Sequence, residues 1–184
     1  MPARCQLYLA APPVLPPAFA ATLAAVLDAA PVACIRLPQI PESIELIKLA
    51  QARNVAALLD GNPELAERFG ADGVHLAYGA HYAAARRLLG DLAIVGVDCG
   101  RSRHAAMLAA DAGADYVAFE ADFDLVAWWA EIMVVPVVAE LGDDIAKAAE
   151  IAAAGADFVL VGPGVLDNPA EAPAAAAKLA ANIA

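Results

Sequence analysis

Seven residues able to do chemistry stand at or near the ends of short apolar runs: Arg36 after VACI, Asp60 after VAALL, His75 within GVHLA, Asp98 and Cys99 after LAIVGV, Glu120 after YVAF, and Glu140 after VVPVVA. Four carboxylates gathered with an imidazole and a guanidinium would suit proton transfer, because neighbouring carboxylates raise one another's pKa. They would equally suit a hard cation held by oxygen ligands. Arg36 adds an anchor for a small phosphorylated ligand. Plainer readings exist for each. The carboxylates can face solvent or pair with Arg36, Arg101 and Arg103, and a histidine in an apolar run is often a hydrogen-bonded core residue. Asp98 beside Cys99 would raise the thiol pKa, which favours packing over nucleophilic attack. The stretch GRSRH places Arg101, Ser102 and Arg103 at a helix start, where amides and guanidiniums suit a phosphate, or where serine merely caps a solvated turn.

Whether these residues meet depends on the elements that carry them. Strands are expected at QLYLA, VACIR, VAALLD, GVHLA, LAIVGVD, YVAFE, VVPVVAE and FVLVG. Helices are expected near residues 18 to 29, in PESIELIKLAQARN, NPELAERF, GAHYAAARRLL, SRHAAMLAADA, LVAWWAE and DDIAKAAEIAAA, and from Asn168 onward. Short apolar strands alternating with helices describe a parallel sheet covered by helices. Eight such units point to a single α/β domain over residues 1–184, a closed (β/α)8 TIM barrel. An open doubly wound sheet is the alternative, since barrels of this kind usually run to about 250 residues.

Gly-Ala-Asp recurs at Gly70, Gly113 and Gly155, at separations of 43 and 42 residues. Each copy reads as a helix stop and turn feeding the next strand: glycine supplies a positive φ and aspartate bonds turn amides. In a barrel this is the floor, so Asp72, Asp115 and Asp157 are structural and the chemistry belongs at the opposite rim. Trp128 and Trp129 are expected to pack the sixth helix on the barrel.

A formal charge of -11 repels phosphate backbones and anionic lipid, which argues against nucleic acid and membrane partners. Cys5, Cys34 and Cys99 are odd in number and lack CxxC spacing, so no disulfide framework or zinc ribbon is indicated, and a reduced cytoplasm fits. The uncharged run from Cys5 to Leu27 resembles a leader or span, but Pro12, Pro13, Pro16 and Pro17 break any helix there.

The phrases GADGVHLAYGA after NPELAERF, IVGVDCGRSRHAAMLAADAGADYVAF, and VPVVAELGDDIAKAAEIAAAGADFVLVGPGV resemble the thiamine phosphate synthase and thiazole tautomerase family of barrels. LYLA and CIR fit as well, so the resemblance spans nearly the whole chain. It implies a TIM barrel acting in thiamine metabolism, with a synthase that displaces pyrophosphate with the help of magnesium and basic side chains. It also implies a glycine-lined phosphate cradle, of which Gly142, Gly162 and Gly164 are kept, and it is compatible with a homo-oligomer.

Departures from the family pattern fall on the charge-handling positions. Arg36 matches the family's arginine after the second strand, but Pro38 stands at the lysine place. Asp60-Gly61 replaces an Asn-Asp pair, and HLAYGA replaces H-L-G-Q-x-D with Ala80 for aspartate, so both expected magnesium ligands are replaced. The Ser-Thr-His of the fifth strand becomes Asp98, Cys99 and Gly100. A lysine-bearing loop becomes EADFDL, and Glu140, Leu141 and Gly142 stand for Ile-Gly-Gly. The metal set is therefore read as none, and Asp60, His75, Asp98, Glu120 and Glu140 as candidate catalytic groups, with Arg36, Arg101, Gly142, Gly162 and Gly164 as candidate ligand contacts. Three functions remain open: a synthase with altered ligands, a relative that binds a phosphorylated thiazole and performs an isomerisation, or a non-catalytic barrel serving as a partner or regulatory subunit.

Overall fold

The computed structural model describes residues 5–184. Eight strands alternate with eight α-helices: β1 (Gln6–Ala10), α1 (Phe19–Ala29), β2 (Val32–Leu37), α2 (Ser43–Gln51), β3 (Ala56–Asp60), α3 (Pro63–Phe69), β4 (Gly73–Leu76), α4 (Tyr82–Leu89), β5 (Ile94–Asp98), α5 (Arg103–Asp111), β6 (Tyr116–Glu120), α6 (Phe123–Ile132), β7 (Val137–Gly142), α7 (Ala148–Ala153), β8 (Phe158–Val161) and α8 (Ala172–Ile183). All neighbouring strands are parallel, and β1 pairs with β8 from Gln6 opposite Phe158 to Leu9 opposite Val161, which closes the ring. The open sheet is thereby excluded.

Several helices are shorter than the sequence expectation, and two are rearranged. The stretch DDIAKAAEIAAA divides into a 3-10 turn at Ile145–Lys147 followed by α7. The last helix starts at Ala172 rather than Asn168, preceded by a 3-10 turn at Pro163–Leu166. Pro169 disfavours helical backbone at Asn168, while Pro173 falls in the first turn of α8, where a missing N–H costs nothing. Elsewhere local signals act as read. The Asn62 side chain accepts the Leu65 N–H at 3.0 Å, Ser102 Oγ accepts the Ala105 N–H at 3.1 Å, and Gly70 ends α3 at a φ of 73°.

The pleat of each strand sorts its residues. Leu7, Leu9, Ile35, Leu37, Val117 and Phe119 face the helices in the larger apolar cluster, while Tyr8, Cys34, Leu58, Tyr116, Val138 and Leu160 fill the barrel interior. Trp129 of α6 is fully buried in the larger cluster and donates its indole N–H to Val135 O at 2.8 Å. The interior has room for the Tyr116 ring because Gly96 faces it: a Cβ there would come within 1.9 Å of that ring.

The repeated aspartates do lie at the floor, but their partners are not turn amides. Asp72, ahead of β4, accepts the Ala57 N–H of β3 at 2.7 Å. Asp115, ahead of β6, takes the Val95 N–H of β5 at 2.7 Å, and Asp157, ahead of β8, takes the Val137 N–H of β7 at 2.8 Å. Each carboxylate thus staples the start of one strand to the turn before the next, in every second strand pair. Cys5, Cys34 and Cys99 are unpaired and buried. Among the described residues no helix is long and apolar enough to cross a membrane.

Replacing Asp157 by Ala strips the Val137 amide of its partner, and the expected loss is about 1–3 kcal/mol in urea unfolding. A loss under about 0.5 kcal/mol, the range of ordinary surface changes, would show that the staple is dispensable.

Candidate active site

Alternation along each strand brings the rim residues to one opening. Arg36 follows Cys34 by two positions, Asp60 follows Leu58, Glu120 follows Tyr116 by four and Glu140 follows Val138, so all share the inward register of the interior cluster. His75 lies opposite Asp60 and Gly96, and Asp98 opposite Ala118, which puts them on the same face. Six strands therefore contribute a polar residue to the C-terminal mouth.

The centre of this group is Glu140. Its Oε1 accepts from Arg36 Nη1 at 3.1 Å and lies 3.4 Å from His75 Nε2. Arg36 and Glu140 are about one-fifth exposed, at 21% and 24%, and His75 is buried. Below them His75 Nδ1 is 2.8 Å from the Tyr116 hydroxyl, which lies 3.2 Å from the Tyr8 hydroxyl.

Burial pushes the Glu140 carboxyl above its ordinary range. Arg36 opposes that shift, and the charges of Asp98 and Asp60 reinforce it. Burial works against the Arg36 charge too, but Glu140 foremost and Asp60 behind it hold the guanidinium protonated. His75 is pushed down to about 3 by burial and then by the Arg36 charge. The 3.4 Å approach to Glu140 therefore joins a neutral imidazole to a carboxylate and is not an ion pair.

The remaining candidates sit at the edges. Asp98 Oδ1 accepts the Gly100 N–H at 2.8 Å and shapes the turn after β5. Glu120 is exposed, with Arg101 Nη1 at 3.8 Å. Arg101, expected as a ligand anchor, is held by Asp122, and Arg103 lies over the Trp128 ring at 4.4 Å. The plainer reading of GRSRH, a capped turn, is the one its contacts match. Cys99 is buried against the helices, its thiol pushed up to about 12 by burial and by Asp98.

The kept glycines are met by an internal carboxylate. Asp143 Oδ1 accepts the Gly164 N–H at 3.0 Å, and a Cβ at Gly162 or Gly164 would come within 2.5 or 2.8 Å of that oxygen. The kept glycines thus admit an internal carboxylate where the resemblance implied a phosphate. Magnesium does not fit either: Gly61 and Ala80 offer no oxygen ligand from a side chain, and among the described residues no three His, Cys, Asp or Glu side chains gather closely enough to share a metal ion.

Sequence reading missed Tyr8, Tyr116 and Asp143. The two tyrosines had a signal: each occupies an inward position of its strand, where a ring with a polar tip must find a partner. Asp143 had none beyond its place after Gly142, since its acceptor role depends on how two loops meet.

Residues 39–165 match the family model described as thiamine monophosphate synthase. A thiamine-phosphate synthase of Rhodospirillum centenum is 47% identical over 195 aligned residues, covering 94% of each chain. One of Hyphomonas neptunium is 36% identical over 203 residues, covering 95% of this chain and 91% of that one. Both alignments are longer than the 184 residues present, so parts of those relatives have no counterpart here. Among solved structures, thiamine phosphate pyrophosphorylase from Pyrococcus furiosus superposes with a TM-score of 0.79 at 20% identity, covering 98% of both chains. A 3-hexulose-6-phosphate synthase gives 0.74 at 22% identity, over 97% of this chain and 100% of the other. At such identities the structural likeness speaks for the fold alone.

The buried neutral imidazole has a consequence for stability. The unfolded chain protonates His75 below the ordinary imidazole value of 6.5 while the folded chain does not until about 3, so the stability present above 6.5 is lost as pH falls through that window. By pH 5 the loss is about 2 kcal/mol. Glu140, with its raised pKa, works in the opposite sense. Urea unfolding at pH 7 and pH 5 should therefore show a smaller acid loss in His75→Gln than in the parent, and equal losses would mean that His75 is charged when folded.

Proposed function

The chain belongs to the thiamine monophosphate synthase family, and from that premise we propose that it acts in thiamine metabolism on a small phosphorylated ligand of the thiazole class, by proton transfer rather than metal-assisted loss of pyrophosphate. The observation that carries this reading is the Arg36–Glu140–His75 cluster, assembled from three strands at the mouth. Arg36 is the anchor for the ligand's anionic group. Glu140, whose carboxyl is pushed upward by burial, is the group placed to exchange a proton with the ligand. A proton taken from one ligand atom and returned to another gives an isomerisation that balances without a co-reactant. Unpaired, buried cysteines suit a reduced cytoplasm.

The synthase reaction needs cations where negative charge develops on the leaving pyrophosphate. This mouth offers Arg36, already engaged by Glu140, and four carboxylates that repel a diphosphate. A second reading, a barrel without catalysis, is favoured by Asp143, whose carboxylate stands in the cradle in place of a ligand.

Calorimetric titration with thiazole phosphate, pyrophosphate and magnesium, alone and together, tests these readings. Thiazole phosphate is expected to bind without magnesium, and Arg36→Ala to weaken it by about tenfold or more. Tight magnesium-dependent binding of pyrophosphate would overturn the proposal, and silence from every probe would favour the non-catalytic barrel. Asp143→Ala frees the Gly164 amide and should tighten inorganic phosphate by about two- to tenfold, the worth of one hydrogen bond. Unchanged phosphate affinity would show that the cradle is not part of the site.

A further inference from the structure

A line of hydrogen-bonding groups runs up the barrel interior from Tyr8 on β1 through Tyr116 on β6 and His75 on β4 to Glu140 on β7, where Arg36 of β2 meets it from the side. Its lower members are sealed. Tyr8 is 1% exposed, Tyr116 6% and His75 2%, and burial holds both phenols well above their ordinary pKa, so the hydroxyls keep their protons. Such a line has two polarities, and the neutral imidazole can serve only one of them at a time.

The surroundings choose between them. Glu140 Oε1, already accepting from Arg36, faces His75 Nε2 at 3.4 Å. With the proton on Nε2 the imidazole turns its N–H toward that oxygen, 3.4 Å away, and Nδ1 is left to accept the Tyr116 O–H. Tyr116 oxygen then accepts the Tyr8 O–H, and every donor has a partner. With the proton on Nδ1, two lone pairs would face each other at 3.4 Å across the Glu140 contact. Tyr116 would have to donate downward, and the Tyr8 proton would be turned toward a cavity of about 230 Å³ walled by Cys34, Ala56, Leu58, Ile94, Val138 and Phe158, with Gln6 at its solvent end. Those walls offer no acceptor stronger than a thiol.

We infer that Tyr8 and Tyr116 are positioning residues that hold His75 as the Nε2–H tautomer, so that the imidazole donates to Glu140 Oε1 and fixes that carboxylate with its other oxygen, Oε2, left for the ligand. Among the described residues no side chain or amide donates to Oε2. The inference deepens the reading of Glu140 as the proton-transfer group and rests on it. The groups facing Glu140 are Arg36 and His75 in contact, Asp60, Asp98 and Glu120 around the rim, and the Tyr116 and Tyr8 hydroxyls below; β8 presents Leu160. The tyrosines touch no ligand and act through His75. Gly96 belongs to the same device, since only a residue without a side chain leaves the Tyr116 ring its place.

Nitrogen NMR of histidine-labelled protein reads the tautomer directly, and carbon NMR of the Glu140 carboxyl reads its titration. The parent should show His75 with Nε2 protonated and Nδ1 accepting across the neutral range. Tyr116→Phe keeps the ring that fills the space beside Gly96 and removes only the hydroxyl. It should mix the two tautomers, and the weakened donor to Glu140 should raise the carboxyl pKa by about one unit. Tyr8→Phe, one bond further away, should shift both in the same direction by less. An Nδ1–H tautomer in the parent, or a Tyr116→Phe protein in which the His75 tautomer and the Glu140 titration are unchanged, would overturn the inference. Titrating the same samples with thiazole phosphate separates the two ideas. If the tautomer result holds and the probe does not bind, the ligand reading fails while the positioning stands; if the probe binds and the tautomer is wrong, the reverse is true.

Discussion

Closing eight parallel strands into a ring gives each strand two faces and no edge, and the inner face is dry. Every second residue must then fill a narrow interior or, at the last position, look out of its mouth. Arg36, Asp60, His75, Asp98, Glu120 and Glu140 share one opening for this reason, although they are spread over more than half of the chain. The floor depends on the same closure. Asp72, Asp115 and Asp157 each tie the start of one strand to the turn before the next, so the strand ends at the opposite rim inherit a fixed register.

Within that frame the mouth answers its own charges. Arg36 is met by Glu140, Arg101 by Asp122, and the Gly164 amide by Asp143. These contacts differ in weight. Asp122 and Asp143 sit at partly or fully exposed positions, where water and salt compete and an ion pair or single hydrogen bond contributes little. Arg36 and Glu140 are mostly withdrawn from water, and taking either away leaves the other buried and unpaired, which is the costly case. The outer carboxylates can therefore yield to an arriving anion, whereas the central pair is a permanent part of the site.

The sequence carried much of this arrangement because barrel architecture converts position in a strand into position in space. Apolar runs ending in Arg36, Asp60, Asp98, Glu120 and Glu140 located the rim, and three Gly-Ala-Asp phrases located the floor. Contacts made across the ring were not legible in the same way. Nothing in QLYLA says that Tyr8 will meet Tyr116, because that meeting depends on barrel diameter and on the space at Gly96. The contact of Arg101 with Asp122 was not legible for a related reason: it depends on the path of the loop after β6, which composition does not determine. Gly61 and Ala80, at the places where the resemblance implies magnesium ligands, could be read directly, since a side chain without an oxygen needs no geometry to be noticed.

A barrel interior of this width would be filled most simply by aliphatic side chains, as Leu58, Val138 and Leu160 do here. Two phenols and an imidazole in the same space bring polar atoms that must be satisfied, and an unsatisfied one would cost about 1–3 kcal/mol. The structure satisfies all of them, with no buried side-chain polar atom lacking a partner among the described residues. The line ends at Glu140, the mouth carboxylate paired with Arg36, with His75 Nε2 turned toward it at 3.4 Å. The placement of Glu140 at the upper end, above a chain of donors whose lower end closes in an apolar cavity, gives the line a direction and ties the interior of the barrel to the chemistry of its mouth.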